Sequence, residues 1–573
     1  MLRKEVDWRT PEEQCFGNWW RARPDDARAA EELLGGNLEL PPHPVWNFGD
    51  RLDWSADPFA QKNWNFQLHC LKWLEPVRRT VLLDTEEKED LQNFWLNIVE
   101  SWRTNFLEGN DEFAWMDMAD GVRTIELVLG APLVPDDYWD TYVSMLQKHQ
   151  EKLADESRRA KGNHGLHQLQ GYFVVSKFLR DDAGVESSTK DILRSFDEEY
   201  DAEGTNREGS LAYHDLNYFW WKECLERLRV GGGEVAEQSE VLERSRSNLS
   251  FFVRPDGFLE TIGDTPPGRI MSDDGCPMSD YARSSGQKGI IPQKLSVVLS
   301  AGYACGRAKW GTCTEEFGNS SFYSLRFGNE SIHGHDDGGS ITLFSNGKSW
   351  VCDPGMYAYQ SDEFRNYFKS RRSHNIVTDL GTNFRRTTTN LEAHKNCDFF
   401  DSYLVRSESD ATFATKRLFL YLRTIDVVII VDEVESTQDT SKFPNPVQLW
   451  HFPPNVSVNV GLRAVSLKAE NDGIKVFWLN RPRFEVKVGE KKNGQLLGWY
   501  SPRYAVAEPT KTLLVSPAEG APAFWMCGTS LSGEDFWLSD FEGQLQDFKV
   551  QLHLGDLSFN LFVTDCAATI LKI

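Results

Sequence analysis

No run of eighteen apolar residues occurs in this 573-residue sequence, so it offers no candidate for a membrane-crossing helix. The ten cysteines contain no CxxC pair. Neither a zinc ribbon nor a disulfide framework is therefore expected, and the thiols read as reduced and mostly structural. No repeat of fixed solenoid period is found. Positive charge is scarce: 62 Lys and Arg stand against 86 Asp and Glu, a net charge of −24. Affinity for phosphate backbones comes from clustered cations, so nucleic acid and anionic membranes are excluded as expected partners. A polyanion held in a local basic cleft remains compatible with that balance. The opening residues, MLRKEVDWRTPEEQ, have no apolar core of the kind a secretory leader needs. The expected compartment is the cytoplasm, or a secreted or periplasmic one if a native leader precedes the sequence given.

What is abundant is aromatic: 20 Trp, 35 Phe and 16 Tyr. Such rings fill cores, and they also pack on the apolar faces of sugars, which leans weakly towards carbohydrate. The length is too great for one hydrophobic core. Residues 1–265 space apolar positions three and four apart, in segments such as LHCLKWLEPVRRTVL, EDLQNFWLNIVESWRTNF and NYFWWKECLERLRV. Eight or more helices in succession predict antiparallel helical hairpins that close on themselves or stack. A Gly-, Pro- and Ser-rich stretch over 266–290 reads as a linker. From about Leu295 the pattern turns to period two, in LSVVLSAGYACGRA, RLFLYLRTIDVVIIVDEVES and LSFNLFV, which predicts a large antiparallel sandwich. The expected domains are 1–290 and 291–573.

The stretch with most chemistry runs from Phe327 to Val377. Three of the twelve histidines lie in it: His333, His335 and His374. GGSITLF-SNG-KSWVCD predicts a hairpin with its turn at Ser345-Asn346-Gly347. Histidines two apart on an extended chain share a face, so His333 and His335 can share a site. Asp353 ends the second strand and is expected to return a carboxylate towards His335, with His374 arriving from the following strand. Imidazoles and a carboxylate from separate strands suit a divalent ion such as zinc; taken singly, each is equally an ordinary polar residue at a strand end. In the helical half, Gly162-Asn163-His164-Gly165 precedes a helix and can form an anion-binding corner, or simply hold a helix-capping Asn. Glu208, Tyr213 and His214 lie in a Gly-rich approach to a helix, where Tyr213 faces either a cleft or the inter-helix core.

In combination and order, these motifs resemble the heparinase II/III-like polysaccharide lyases over nearly the whole chain. The resemblance rests on NWNFQLHCLKWL, the NHG corner, EGSLAYH, a helical end at IGDT, FGNESIHGHDDGGSITL, DPGMYAY and RNYFKSRRSHNIV. It implies an α/α toroid followed by a β-domain, and cleavage of uronate-containing polysaccharides by β-elimination. By the same resemblance, Asn163, with His164 assisting, neutralises the substrate carboxylate, and Tyr213 and His333 are the acid and base. His335, Asp353 and His374 resemble ligands of a zinc ion whose role is structural. Glu208, Tyr367 and Arg365 are lesser candidates for substrate binding. Arg371-Arg372-Ser373 departs from the small or hydroxyl residue frequent there, which puts specificity in that loop in question. Arg365, Lys369, Arg371 and Arg372 are together expected to form a basic patch that draws in a polyanion.

Heparan sulfate, chondroitin sulfate, hyaluronan and alginate all present the uronate this chemistry needs. Two other classes stand beside the lyase: a metal-dependent hydrolase built on His335, Asp353 and His374, and a non-catalytic carbohydrate-binding protein. Only a lyase leaves an ultraviolet-absorbing unsaturated uronate.

Overall fold

The helical spacing of the first half becomes helix nearly where it is expected. Glu89–Phe106 buries Leu91, Trp95, Ile98, Val99 and Trp102, one stripe at helical period. Asp117–Gly130, Trp139–Ala154, Gly162–Leu179, Asp182–Glu199, Leu211–Val230 and Ala236–Leu249 follow. One expected helix is two. In LHCLKWLEPVRRTVL, Leu71 takes φ 54° and ψ 6°, so Lys62–Cys70 ends there, and a 3-10 turn leads into Glu75–Leu83. A left-handed leucine costs about 1–2 kcal/mol. Leu71 is fully buried, so packing holds it there against that preference.

The computed structural model describes residues 23–83, 88–109, 111–271, 275–328, 331–380, 388–408, 413–436, 446–492 and 494–573. The segment read for a leader lies outside them. Two compact units emerge: Met1–Glu199 with Phe219–Leu242, and Tyr200–Tyr218 with Glu243–Ile573. The helical N-terminal part and the sheet-rich C-terminal part follow the expected order, and the change from helix to strand falls near 290. Compactness divides the chain elsewhere, because Tyr200–Tyr218 and the segment after Glu243 go with the sheets.

The sheet-rich unit pairs its described strands antiparallel throughout. Ser296–Leu299, Tyr303–Arg307, Phe322–Arg326, Ile341–Ser345 and Lys348–Val351 form a five-stranded meander. An eight-stranded sheet has Val427–Ser436 between Phe413–Leu422 and Phe524–Ser530. This central strand reads VVIIV without alternation because both of its faces are buried. Val428 and Ile430 enter a core shared with the meander, while Val427, Ile429 and Val431 enter a second core shared with the C-terminal four-stranded sheet. Burying one such side chain contributes about 1.5–3 kcal/mol. The expected hairpin forms, with its turn one residue tighter: Ser345 pairs with Lys348, leaving Asn346 (φ 51°) and Gly347 (φ 72°) as a two-residue loop. Positive φ at both positions is what favours Asn-Gly there. All nine described cysteines are free thiols.

Candidate functional site

Three loops of the sheet-rich unit interlock to build the site. Gly209 precedes the helix Leu211–Val230, Gly263 lies in IGDT, and His333 lies in SIHGH. Gly263 has φ 60°, and a Cβ there would fall 2.2 Å from the Gly209 carbonyl oxygen and 2.8 Å from that of His333. Only glycine permits this approach. Backbone bonds then fix the register: His333 N–H donates to Glu208 O at 2.8 Å, and Asp264 N–H to His333 O at 2.9 Å.

Asp264 is the hub of the site. Its Oδ2 lies 3.1 Å from His333 Nδ1 and its Oδ1 3.0 Å from His335 Nε2. Arg365 grips both oxygens, Nη1 to Oδ1 at 2.6 Å and Nη2 to Oδ2 at 2.8 Å. Burial pushes this carboxyl's pKa up, but the bonds from His333, His335 and Arg365 outweigh burial and hold it well below the usual carboxylate range. An ionised carboxylate only accepts, so every partner must donate. His333 therefore carries its proton on Nδ1, and in the neutral ring Nε2 bears the lone pair. His335 likewise carries its proton on Nε2, leaving Nδ1 as the lone-pair nitrogen.

Tyr213 lies flat on His333, with ring centroids 3.4 Å apart and planes at 9°. Its hydroxyl donates to Tyr359 Oη at 2.9 Å. Burial first, then that hydrogen bond, raises the phenol's pKa, so it is protonated at neutral pH. The His333 side chain is 18% exposed, and its Nε2 lies 4.0 Å from Glu208 Oε2. A protonated phenol and an imidazole with an available lone pair thus stand face to face at a half-open surface.

Behind them, His335, Asp353 and His374 are buried, with one ligand-type atom of each within 4.8 Å of the others. Asp353 Oδ2 accepts from His374 Nδ1 at 3.0 Å, and its Oδ1 accepts from Gly355 N–H at 2.9 Å. Burial lowers the pKa of His335, the Asp264 bond opposing it. At His374 the same burial is outweighed by Asp353, and the pKa rises. His335 Nδ1 and His374 Nε2 are buried without a hydrogen-bond partner. Two orphaned imidazole nitrogens beside a carboxylate are the donor set that a zinc ion takes, so these residues fit that metal. His374 follows the 3-10 turn Arg371–Ser373 and precedes the strand Val377–Asp379, instead of lying within a strand.

The basic patch is not built as expected. Arg365 is spent on Asp264, and Arg371 is buried, with Nη1 3.4 Å from Asp336 Oδ1 and Nη2 donating to Val377 O. Arg372 is half-buried and donates to Leu380 O. The desolvation cost of a buried guanidinium is offset only by such internal acceptors. Tyr367 is also buried, packed with Phe368 and Leu496. Glu208 is nearly covered, beside His333. Asn163 and His164 belong to the helical unit, in the first turn of Gly162–Leu179. Lys161 is the cap residue, which leaves Asn163 half-buried and His164 exposed within the turn. His214 is a core residue: Asn206 N–H donates to its Nδ1, and Ser245 bonds Nε2. Asp264 and Tyr359 are the residues that sequence reading missed, although IGDT and DPGMYAY both contain signals. An acid within a Gly-turned segment and a second tyrosine after the Asp353 loop were there to be weighed.

Residues 27–218 match the family described as Heparinase II/III N-terminus, and residues 324–526 match Heparinase II/III-like, C-terminal. Among curated proteins, the chain is similar to the "Heparin-sulfate lyase" of Bacteroides stercoris, 22% identical over 405 residues, and to that of Pedobacter heparinus, 23% over 371. These alignments take in 60% and 58% of this chain, and 58% and 54% of the relatives' own length. Among solved structures, that of heparinase III superposes with a TM-score of 0.77 at 14% identity, covering 98% of this chain and 94% of the other. Heparan sulfate lyase HepC from Pedobacter heparinus gives 0.73 at 15%, covering 100% and 93%. At such identities the superpositions establish the fold.

Proposed function

The chain belongs to the heparinase II/III-like family, and from that premise we propose that it is a polysaccharide lyase. Its substrate is a uronate-containing glycosaminoglycan of the heparan sulfate kind, cleaved by β-elimination to leave an unsaturated uronate end. The names of the curated relatives support that substrate class. The helical part is read as an incomplete α/α toroid, on its succession of helices joined by short turns, and the sheet-rich part as an antiparallel β-sandwich.

The observation that carries the proposal is the Tyr213–His333 stack. Elimination needs a base to take the C5 proton of the uronate and an acid to protonate the departing O4. His333 Nε2 has the lone pair, and Tyr213 has the proton. For the C5 epimer, whose proton lies on the other face, the roles exchange from the state in which the Tyr213 proton has passed to His333 Nε2, so that the phenolate takes the C5 proton and the imidazolium protonates O4. The C5 proton is very weakly acidic while the neighbouring carboxylate keeps its charge, so that charge must be neutralised as the enolate-like intermediate forms. On the family pattern this role goes to Asn163, with His164 assisting. His335, Asp353 and His374 would hold a zinc ion, whose role would be structural: these three residues would tie the segments that carry His333 and Tyr359 to one anchor.

The test is a panel of heparan sulfate, chondroitin sulfate, hyaluronan and alginate, read by ultraviolet absorbance of the unsaturated product. Absorbing ends are expected from heparan sulfate. Tyr213→Phe is expected to lose about 10²–10⁴ in rate with an unchanged melting temperature. New reducing ends without absorbance would mean hydrolysis. Saccharide binding with no product would mean a non-catalytic protein.

A further inference from the structure

We propose that the hairpin tip Arg503-Tyr504 forms a saccharide subsite beside the reacting centre, taking a sugar ring that carries a carboxylate or sulfate; this rests on the lyase reading. The strands Trp499–Arg503 and Val506–Pro509 are joined by the two-residue turn Tyr504-Ala505, with Ala505 at φ 56°. The tip is held in place. Ala505 N–H donates to Tyr357 O at 2.9 Å, and Ser501 N–H to Pro354 O at 2.8 Å, so the hairpin is tied along the segment that follows Asp353. Tyr357 itself sits at φ 65°, a left-handed conformation that costs a tyrosine energy and is kept by its surroundings.

This bracing presents rings to solvent. Tyr504 is 56% exposed and Tyr359 is 50% exposed, large values for aromatic residues. Their ring centroids are 6.0 Å apart at 47°. Tyr359 is in turn edge-on to His333 at 6.3 Å and bonded through its hydroxyl to Tyr213. A continuous aromatic path thus leads from the acid–base pair to the exposed tip. The Arg365 guanidinium, fixed by Asp264, lies 5.7 Å from the Tyr359 ring centroid. Tyr504 continues the path outward, and the exposed Arg503 beside it adds a cation on a chain that is otherwise acidic. An aromatic face takes the C–H face of a sugar, and a guanidinium takes its anion through paired N–H donors. Neither residue touches the reacting atoms in this arrangement. Their role is to hold the sugar next to the one being cleaved, and so to favour a chain over its shortest fragment.

The experiment compares the parent with Tyr504→Ala, Tyr504→Phe and Arg503→Ala, using heparan sulfate, its unsulfated parent polymer and short oligosaccharides of each. Lyase rates and calorimetric binding are measured side by side. Tyr504→Ala is expected to raise KM and weaken binding about three- to tenfold, with kcat within about twofold and an unchanged melting temperature. Tyr504→Phe keeps the ring and is expected to match the parent. Arg503→Ala is expected to weaken binding about two- to fivefold at low salt, the difference closing as salt rises. Binding and KM that are unaltered in both alanine variants would overturn the subsite while leaving the lyase reading intact. Binding without absorbing product from the parent would overturn the lyase reading, and the calorimetric comparison would still decide the subsite. Failure of the parent to bind any of these saccharides would overturn both.

Discussion

The helical unit and the sheet-rich unit both bury arginine against carboxylate, and they do so to different ends. In the helical unit the pairs are closed. Arg78 Nε lies 3.0 Å from both oxygens of Glu126, and both side chains are wholly buried. Arg79 is shared between Asp26 and Glu75, and Arg123 bonds His149 while lying 3.9 Å over the Trp102 ring. All of these side chains belong to the helical unit, with Glu75 also 3.8 Å from the guanidinium of the exposed Arg23. At Asp264 the same kind of bond is left open. One carboxylate holds an arginine and two histidines, and one of those histidines reaches the surface under Tyr213. A closed pair stabilises only itself, whereas an open hub sets the tautomer and position of groups that meet a ligand.

The largest effect that separates the two is expected from Arg78→Met, which leaves Glu126 buried and unpaired. It should cost about 3–5 kcal/mol in denaturant unfolding, with turnover per folded molecule unchanged. A matching loss of kcat would mean that the helical network is not merely structural. Next comes acidity. Burial, with nearby Arg123 adding to it, lowers His69 to about 4, against an ordinary value of 6.5. Because the folded value is the lower one, the neutral ring is required. Its contribution is fully present above pH 6.5 and is lost as pH falls towards 4, up to about 3 kcal/mol. His69→Gln should flatten the stability curve in that window; an unchanged slope would remove His69 from the account. Asp264, lowered below its ordinary 3.8, is lost only in stronger acid by the same reasoning.

A smaller effect is expected from Asp264→Asn, which cannot accept from all three partners. It should cost about 10–100-fold in zinc affinity or activity. Elemental analysis and the melting temperature should fall together with the rate. Loss of rate with full zinc content would confine the hub's influence to His333. The smallest effect belongs to Arg372→Ala: a stability change within about 0.5 kcal/mol and no change in the salt dependence of KM. A flattened salt dependence would restore the basic patch that the inward turn of Arg365 and Arg371 argues against.

Local pattern was readable where local forces decide. Glu89–Phe106 was bounded to the residue by its stripe, and Asn346-Gly347 announced its turn. Leu71 was not readable, since nothing nearby in sequence asks a leucine to go left-handed. Among site residues, His335, Asp353 and His374 could be grouped because one hairpin brings two of them close. Asp264 could not, because its partners lie 69, 71 and 101 residues away and IGDT belongs to no periodic element. The arginines show the converse error. Arg365, Lys369, Arg371 and Arg372 are close in sequence, which suggested a shared face, yet spacing does not say which guanidinium finds an acid behind it.

The strand Val427–Ser436 has one more consequence. With apolar side chains buried on both faces, it has no inert side: a slip of one residue would exchange the contents of two cores at once. Peeling away either neighbouring layer would wet half of it. The meander that carries the hairpin of Asp353 and the C-terminal four-stranded sheet are thus coupled through a strand that belongs to both cores. The sheet-rich unit should melt as one cooperative body, with the last residues of the chain guarding the integrity of a site they never touch.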